Sequence, residues 1–182
     1  LGSRSVSGYV GEYLGWRNMY FIASGIMLVY AIVLVFQLPS LSSDFKGSYS
    51  KLMQSLWTYF KSESSVRLAA VRGGLGFAGF SAFWTTLVFL MEDNFNYGSG
   101  ITGLFGILGI AGALAATWAG KLSDKMNKNR LITIATLVMI LAWGVFEFSG
   151  ESIVGLVIGV VFIDMGLQSL HITNQNIIFS KN

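Results

Sequence analysis

Cysteine is absent from the 182 residues, and histidine and proline occur once each. Without thiols the chain can form no disulfide, run no thiol chemistry and offer no thiolate to a metal. A single imidazole cannot build a histidine-rich metal centre. No nucleophile motif is visible and no cofactor is implied, so the chain does not read as an enzyme. Charge is also scarce. Asp, Glu, Lys and Arg make up 12% of residues, about half the usual share of a soluble domain. The net charge of +3 is too small to indicate a nucleic-acid partner.

Apolar sequence fills the space that charge leaves. Hydrophobic residues account for 53% of the chain, and they are clustered. Residues 19–38, 73–91 and 97–120 contain no Asp, Glu, Lys, Arg or His. A hydrocarbon core about 30 Å thick needs about 20 helical residues, which these runs supply. Residues 131–146 form a fourth span if extended to residue 150, and residues 152–179 form a fifth, interrupted by Asp164 and His171. The expected fold class is all-α, a polytopic bundle of transmembrane helices in contact with a lipid bilayer. The chain begins at Leu1 and stops at Asn182, just after an apolar segment, so it reads as a piece of a longer protein.

The gaps between spans alternate in charge. Residues 39–67 carry Lys46, Lys51, Lys61 and Arg67 against Asp44 and Glu63, and residues 121–130 carry Lys121, Lys125, Lys128 and Arg130 against Asp124. Lys181 lies in the tail. The intervening gaps hold Glu92 with Asp93, and Glu147 with Glu151. Lys and Arg in short loops mark the cytoplasmic side. That rule places 39–67, 121–130 and 181–182 inside the cell and 92–97 and 147–151 outside. A multi-pass protein of the inner (plasma) membrane is therefore expected.

Pro39 closes the first complete span, and a Ser/Gly-rich stretch follows. Within 49–61, Tyr49, Leu52, Met53, Leu56, Trp57 and Phe60 recur at helical spacing, with Lys51, Gln54, Ser55, Thr58 and Lys61 opposite. This predicts an amphipathic helix with a basic polar face. It would lie either in the headgroup layer or across the cytoplasmic ends of the spans. The linker divides the chain into 1–38, 39–66 and 67–182.

Gly120, Asp124, Lys125, Asn127, Lys128 and Arg130 together resemble the signature loop of the major facilitator superfamily. That loop reads Gly, three residues, Asp, a basic residue, one residue, Gly, then further basic residues. Asn127 stands where Gly is usual, and Asn tolerates the left-handed conformation that a tight turn demands. Ser7, Gly8, Tyr9, Val10 and Gly11, leading to Gly15, Trp16 and Arg17, resemble the end of that family's fifth helix. The antiporter form carries Gly-Pro there. Pro is absent here, which leaves the direction of transport open. Residues 168–175 resemble the tenth helix of a bacterial drug-efflux-like branch. The resemblance implies that 1–38 ends the N-terminal half-bundle (helices five and six). Residues 39–66 would then be the cytoplasmic linker, and 67–182 would start the C-terminal half-bundle with helices seven to ten. It further implies a cytoplasmic gate formed by Gly120, Asp124, Lys125, Lys128 and Arg130. The Asp of such a gate anchors to a neighbouring helix end, here one of the further helices of the same protein. Ordinary cytoplasmic positive charge is the plainer reading of these residues.

In the last span, Asp164, Gln168, His171, Gln175 and, slightly offset, Asn174 recur at intervals that share one helical face. Asp164 and His171 fall near the membrane midplane, about 10 Å apart along the axis. Ionisable groups at that depth usually face a bundle interior or an aqueous cavity. Carboxylate and imidazole are both suited to exchanging protons, so proton coupling or substrate binding is expected. A polar stripe that holds helices together is the alternative. Arg4, also at membrane depth, implies an anionic substrate group, a carboxylate partner, or pairing with a helix outside the chain. Gly73, Gly74, Gly76 and Gly79, and then Gly100, Gly103, Gly106, Gly109 and Gly112, predict close helix packing. Trp84, Thr85 and Thr86 are candidate substrate contacts, although aromatic residues in spans more often pack. Export of a small amphipathic molecule coupled to protons is the leading expectation. Uptake of a small organic anion and a non-transporting membrane scaffold are the alternatives.

Overall fold

The computed structural model describes residues 3–39, 48–149 and 152–180, and among them there is no strand. The helices are α1 (Ser3–Leu14), α2 (Trp16–Gln37), α3 (Tyr49–Ser62), α4 (Ser64–Phe95), α5 (Ser99–Leu104), α6 (Gly109–Lys125), α7 (Lys128–Phe148) and α8 (Ile153–Phe179). A 3-10 turn, Phe105–Leu108, joins α5 to α6. Among the described residues, five helical segments are long and apolar enough to cross a membrane: α2, α4, Ser99–Lys125, α7 and α8. The boundaries shift outward from the uncharged runs. α4 begins at Ser64, so Arg67 and Arg72 lie on its first turns. α6 continues to Lys125, so Asp124 and Lys125 are helical and not part of a loop. The topological charges Asp44, Lys46, Glu151 and Lys181 lie outside the described residues.

Local chemistry accounts for the breaks. Gly15, between α1 and α2, has φ +85°, a region that residues with a Cβ rarely enter. α4 ends at Asn96, which takes the left-handed conformation and donates its backbone N–H back to Glu92 and Met91. Asn127 corrects the sequence expectation. It has φ −61° and ψ 118°, not left-handed, and serves as the N-cap of α7. Its side-chain oxygen accepts from the backbone N–H groups of Asn129 at 2.9 Å and Arg130 at 3.4 Å. Asn therefore suits this position as a cap, because it satisfies two donors that the first helical turn leaves open.

α8 is the central helix. It packs against α4, α6 and α7, and Leu156, Val160, Ile163, Leu167 and Leu170 enter a core with Phe83, Leu87, Met91, Ile132, Ala135, Met139 and Ala142. Phe83 of α4 stacks on Phe146 of α7 with ring centroids 4.1 Å apart. In lipid, helices are held by packing and interhelical hydrogen bonds more than by water exclusion, so close approach counts. A Cβ added to Gly166 would stand 3.0 Å from the Ala135 carbonyl of α7, and one on Gly76 would stand 2.7 Å from Leu170. The expected packing role of the α4 glycines holds at Gly76, while Gly74 has nothing within 4 Å.

α2 and α3 are the exposed elements. α2 buries no residue although its mean hydropathy reaches 2.4, which suits a helix surrounded by lipid or further spans. α3 carries the predicted apolar stripe with no residue buried, and Phe60 alone on it is partly covered. Its C-terminal carbonyls at Phe60 and Lys61 accept from the Arg67 guanidinium. A cation thus sits at the negative end of the helix.

Candidate functional site

α1 reaches the bundle by packing on α5 at very short range. Gly8 and Gly103 face each other, and a Cβ on Gly103 would lie 2.7 Å from the Arg4 carbonyl and 3.3 Å from the Gly8 Cα. Ser5 Oγ donates to the Gly103 carbonyl at 2.9 Å, and Ser99 Oγ donates to the Gly8 carbonyl at 3.0 Å. Glu12 accepts from the Gly100 N–H at 2.5 Å, where a carboxylate meets the positive end of α5. This junction delivers Arg4 to the interior. Its guanidinium carbon lies 3.6 Å from the centroid of the Trp84 ring and 5.4 Å from that of Phe80.

The glycines spaced by three along α5 and α6 shape the opposite wall. Each step of three residues falls about 60° short of a full α-helical turn, so the stripe rotates as it descends. Gly100 and Gly103 face α1, Gly106 and Gly109 line a cavity, and Gly112 faces Asp164 and Gln168 of α8. A Cβ on Gly112 would stand 3.1 Å from the Cβ of Asp164 and 3.1 Å from the Cγ of Gln168. The 3-10 turn Phe105–Leu108 falls at the cavity, where tighter winding changes the rotation.

The cavity holds about 210 Å³ and is lined by Ser3, Arg4, Phe80, Trp84, Gly106, Gly109, Asp164 and Gln168. α1, α4, the α5–α6 segment and α8 all contribute; α7 contributes nothing. Asp164 lies about 16 Å along the helix axis from Ile153 and about 22 Å from Phe179, in the middle of its span. It is 4% exposed and shares this lining with Arg4. Three buried polar atoms on this lining have no hydrogen-bond partner among the described residues: Arg4 Nη1, Trp84 Nε1 and Asp164 Oδ2. A second, more open space of about 450 Å³ lies between α1, α2, α4 and α5, and Arg4 and Trp84 belong to both. They form the wall between the two.

The polar face expected on the last span is thus divided three ways. Asp164 and Gln168 enter the Arg4 cavity. Asn174, 5% exposed, turns toward α4 and donates to the Ala69 carbonyl at 3.2 Å. His171 and Gln175 are exposed and share a hydrogen bond of 2.9 Å. Gln168 and His171 also line a smaller space of about 180 Å³ with Gly73 and Phe77, so Gln168 connects the two regions. Thr85 and Thr86 are exposed and line neither space. Ser3 is one lining residue that sequence reasoning missed, and Phe80 is the other. Its signal was the spacing of four from Trp84, which puts both rings on one helix face.

At the other end of the bundle, Asp124, Lys125 and Arg130 are exposed. Lys128 donates to the Asn176 carbonyl at 3.0 Å, tying the α6–α7 turn to the last turns of α8. Gly120 faces Ile172 of α8, with 3.8 Å available to a Cβ. Residues 126–129 line an open space of about 510 Å³ with Ser65, Leu68, Arg72, Ile177 and Ser180.

Comparison with known proteins agrees with this architecture. Residues 2–182 match the family model described as Major Facilitator Superfamily. The chain is 37% identical over 178 residues to the uncharacterized transporter YgaY of Escherichia coli O157:H7, covering 97% of this chain and 45% of that protein. It is 24% identical over 179 residues to a Streptomyces coelicolor protein named Probable transporter SCO4007, covering 97% of this chain and 42% of that protein. No solved structure gives a significant match. The chain spans less than half the length of these relatives. With five apolar spans among the described residues and a family match along nearly its whole length, the chain belongs to the Major Facilitator Superfamily of membrane transporters.

Proposed function

We propose that the protein is a secondary transporter that exports small amphipathic molecules from the cell in exchange for protons. In this reading two half-bundles, with residues 1–38 in one and 67–182 in the other, alternate access to a site at their interface near the midplane. The observation that carries it is Asp164, a carboxylate 4% exposed with an unpartnered oxygen in a cavity that also holds Arg4. An ionisable group buried at midspan is expensive to keep, and a transport or proton pathway is the usual reason for one. The cavity also draws on both sides of the linker, since Arg4 precedes it and the other lining residues except Ser3 follow it. Gln168, His171 and Gln175 extend the path from Asp164, and Asn174 braces α8 on α4.

The gate reading of Gly120, Asp124, Lys125, Lys128 and Arg130 is supported by the Lys128 bond to α8 and by the exposure of Asp124. An exposed Asp124 is available to a neighbouring helix end of the same protein when the inner side closes. Uptake of an organic anion is the second reading, and the unpartnered Arg4 nitrogen favours it.

The test is transport by the protein in full, reconstituted in vesicles with an imposed pH gradient. Asp164→Asn is expected to reduce proton-driven transport at least tenfold with little loss of folded protein, because shape is kept and charge removed. Unchanged transport and unchanged pH dependence in Asp164→Asn would sink the proton-coupled reading. Transport that persists without a pH gradient and requires Arg4 would favour anion uptake.

A further inference from the structure

The cavity pairs opposite charges without letting them neutralise each other by direct bonding. On one wall Arg4 Nη1 and Trp84 Nε1 are buried donors without acceptors among the described residues, held together by the guanidinium carbon lying 3.6 Å from the indole centroid. On another wall Asp164 Oδ2 is a buried acceptor without a donor among the described residues. Buried polar atoms without partners are rare in native proteins and each is costly to maintain. A ligand that satisfies all three must present an acceptor toward α1 and α4 and a donor toward α8.

Charge narrows the class further. An anion would compensate Arg4 but would sit beside the Asp164 carboxylate. A cation would compensate Asp164 but would face the Arg4 guanidinium. In a buried site either mismatch leaves one charge uncompensated, which is strongly unfavourable. A molecule carrying both charges and no net charge leaves neither stranded. The volume of about 210 Å³ is below the range of drug-sized pockets, so the part held between the two charges is small.

We propose that the Arg4–Asp164 cavity selects a zwitterion, with its anionic group on Arg4 and Trp84 and its ammonium on Asp164 and Gln168. This rests on the transporter reading for its purpose, but it is tested by binding alone. The probes are ω-amino acids of three to six carbons, compared with straight-chain carboxylates and alkylamines of matching length. Affinity is measured by calorimetry on the protein in full in lipid nanodiscs.

One ω-amino acid is expected to bind at least tenfold tighter than its matched carboxylate and its matched amine. Asp164→Asn should remove that preference by weakening the zwitterion and sparing or improving the carboxylate. Arg4→Gln should do the converse, sparing the amine. If either variant is not monodisperse, the three-way comparison on the unaltered protein decides by itself. Equal affinity for zwitterion and carboxylate, or no binding of any ω-amino acid, overturns the proposal. The two readings fail separately. Zwitterion-selective binding with no movement across vesicles would leave this inference standing and remove the transport role. Transport through the Asp164 cavity with no zwitterion preference would do the reverse.

Discussion

Arg4 illustrates how a residue can be identified correctly while its partners stay hidden. Its position at membrane depth was enough to single it out, since a guanidinium in hydrocarbon needs company. Sequence left three kinds of company open, and the fold supplies a stacked Trp84, an adjacent Phe80 and an Asp164 160 positions away. The planar face of Arg is part of this arrangement, so Lys is not an equivalent substitute. Stacking of this kind contributes about 1 kcal/mol when partly desolvated. Arg4→Lys is therefore expected to lower vesicle transport roughly fivefold, with Asp164→Asn more severe. Transport rates for the two variants, normalised to folded protein, check the order. His171 shows the opposite lesson. Spacing put it on the face of Asp164, yet it is exposed and bonded to Gln175 and lies off the Arg4 cavity. An interval of seven residues drifts by about 20° on a straight helix. The neighbours of α8 also change along its length, from α1 and α6 near Asp164 to α4 near Asn174.

Among the elements, the α1–α5 junction controls where Arg4 arrives. Its geometry depends on two glycines in contact, Gly8 and Gly103, and on two serine hydroxyls that bond across to carbonyls. A methyl group at Gly8 would collide with the Ser99 carbonyl, a backbone atom that cannot turn aside. Gly8→Ala is thus expected to destabilise the bundle by about 1–3 kcal/mol and to reduce transport by moving Arg4. Gly74→Ala has open space around it and should be neutral or stabilising by about 0.5–1 kcal/mol through helix propensity. Thermal unfolding of the two purified variants separates the cases. Comparable midpoints would show that α1 and α5 do not approach as described. The sequence displayed both glycines with nothing to rank them. A glycine in a packed face and one in open space look the same until a second helix is placed against them.

For the whole molecule, orientation is the property on which charge alone speaks. Among the described residues Arg72 and Lys128 lie together at one end of the spans, and the charge pattern of the sequence predicts Lys125 inside the cell and Asp93 outside. The 182 residues contain no cysteine, so Lys125→Cys and Asp93→Cys are clean reporters once any cysteine elsewhere in the protein is replaced. A membrane-impermeant thiol reagent applied to intact cells should label position 93 and not position 125, and permeabilisation should expose both. The reverse pattern would invert the proposed topology. Span length, charge scarcity and the signature around Gly120 and Asp124 determined the all-helical membrane class and the family by themselves. The reason is that the bilayer imposes its thickness and its dislike of charge on local sequence. Only the tertiary structure decided that Arg4, Trp84, Asp164 and Gln168 share one cavity. It also decided that Asn127 is a cap and that the polar face of α8 serves three different neighbours. Those outcomes depend on which helix surfaces approach closely, and that is set by contacts between residues about a hundred positions apart or more.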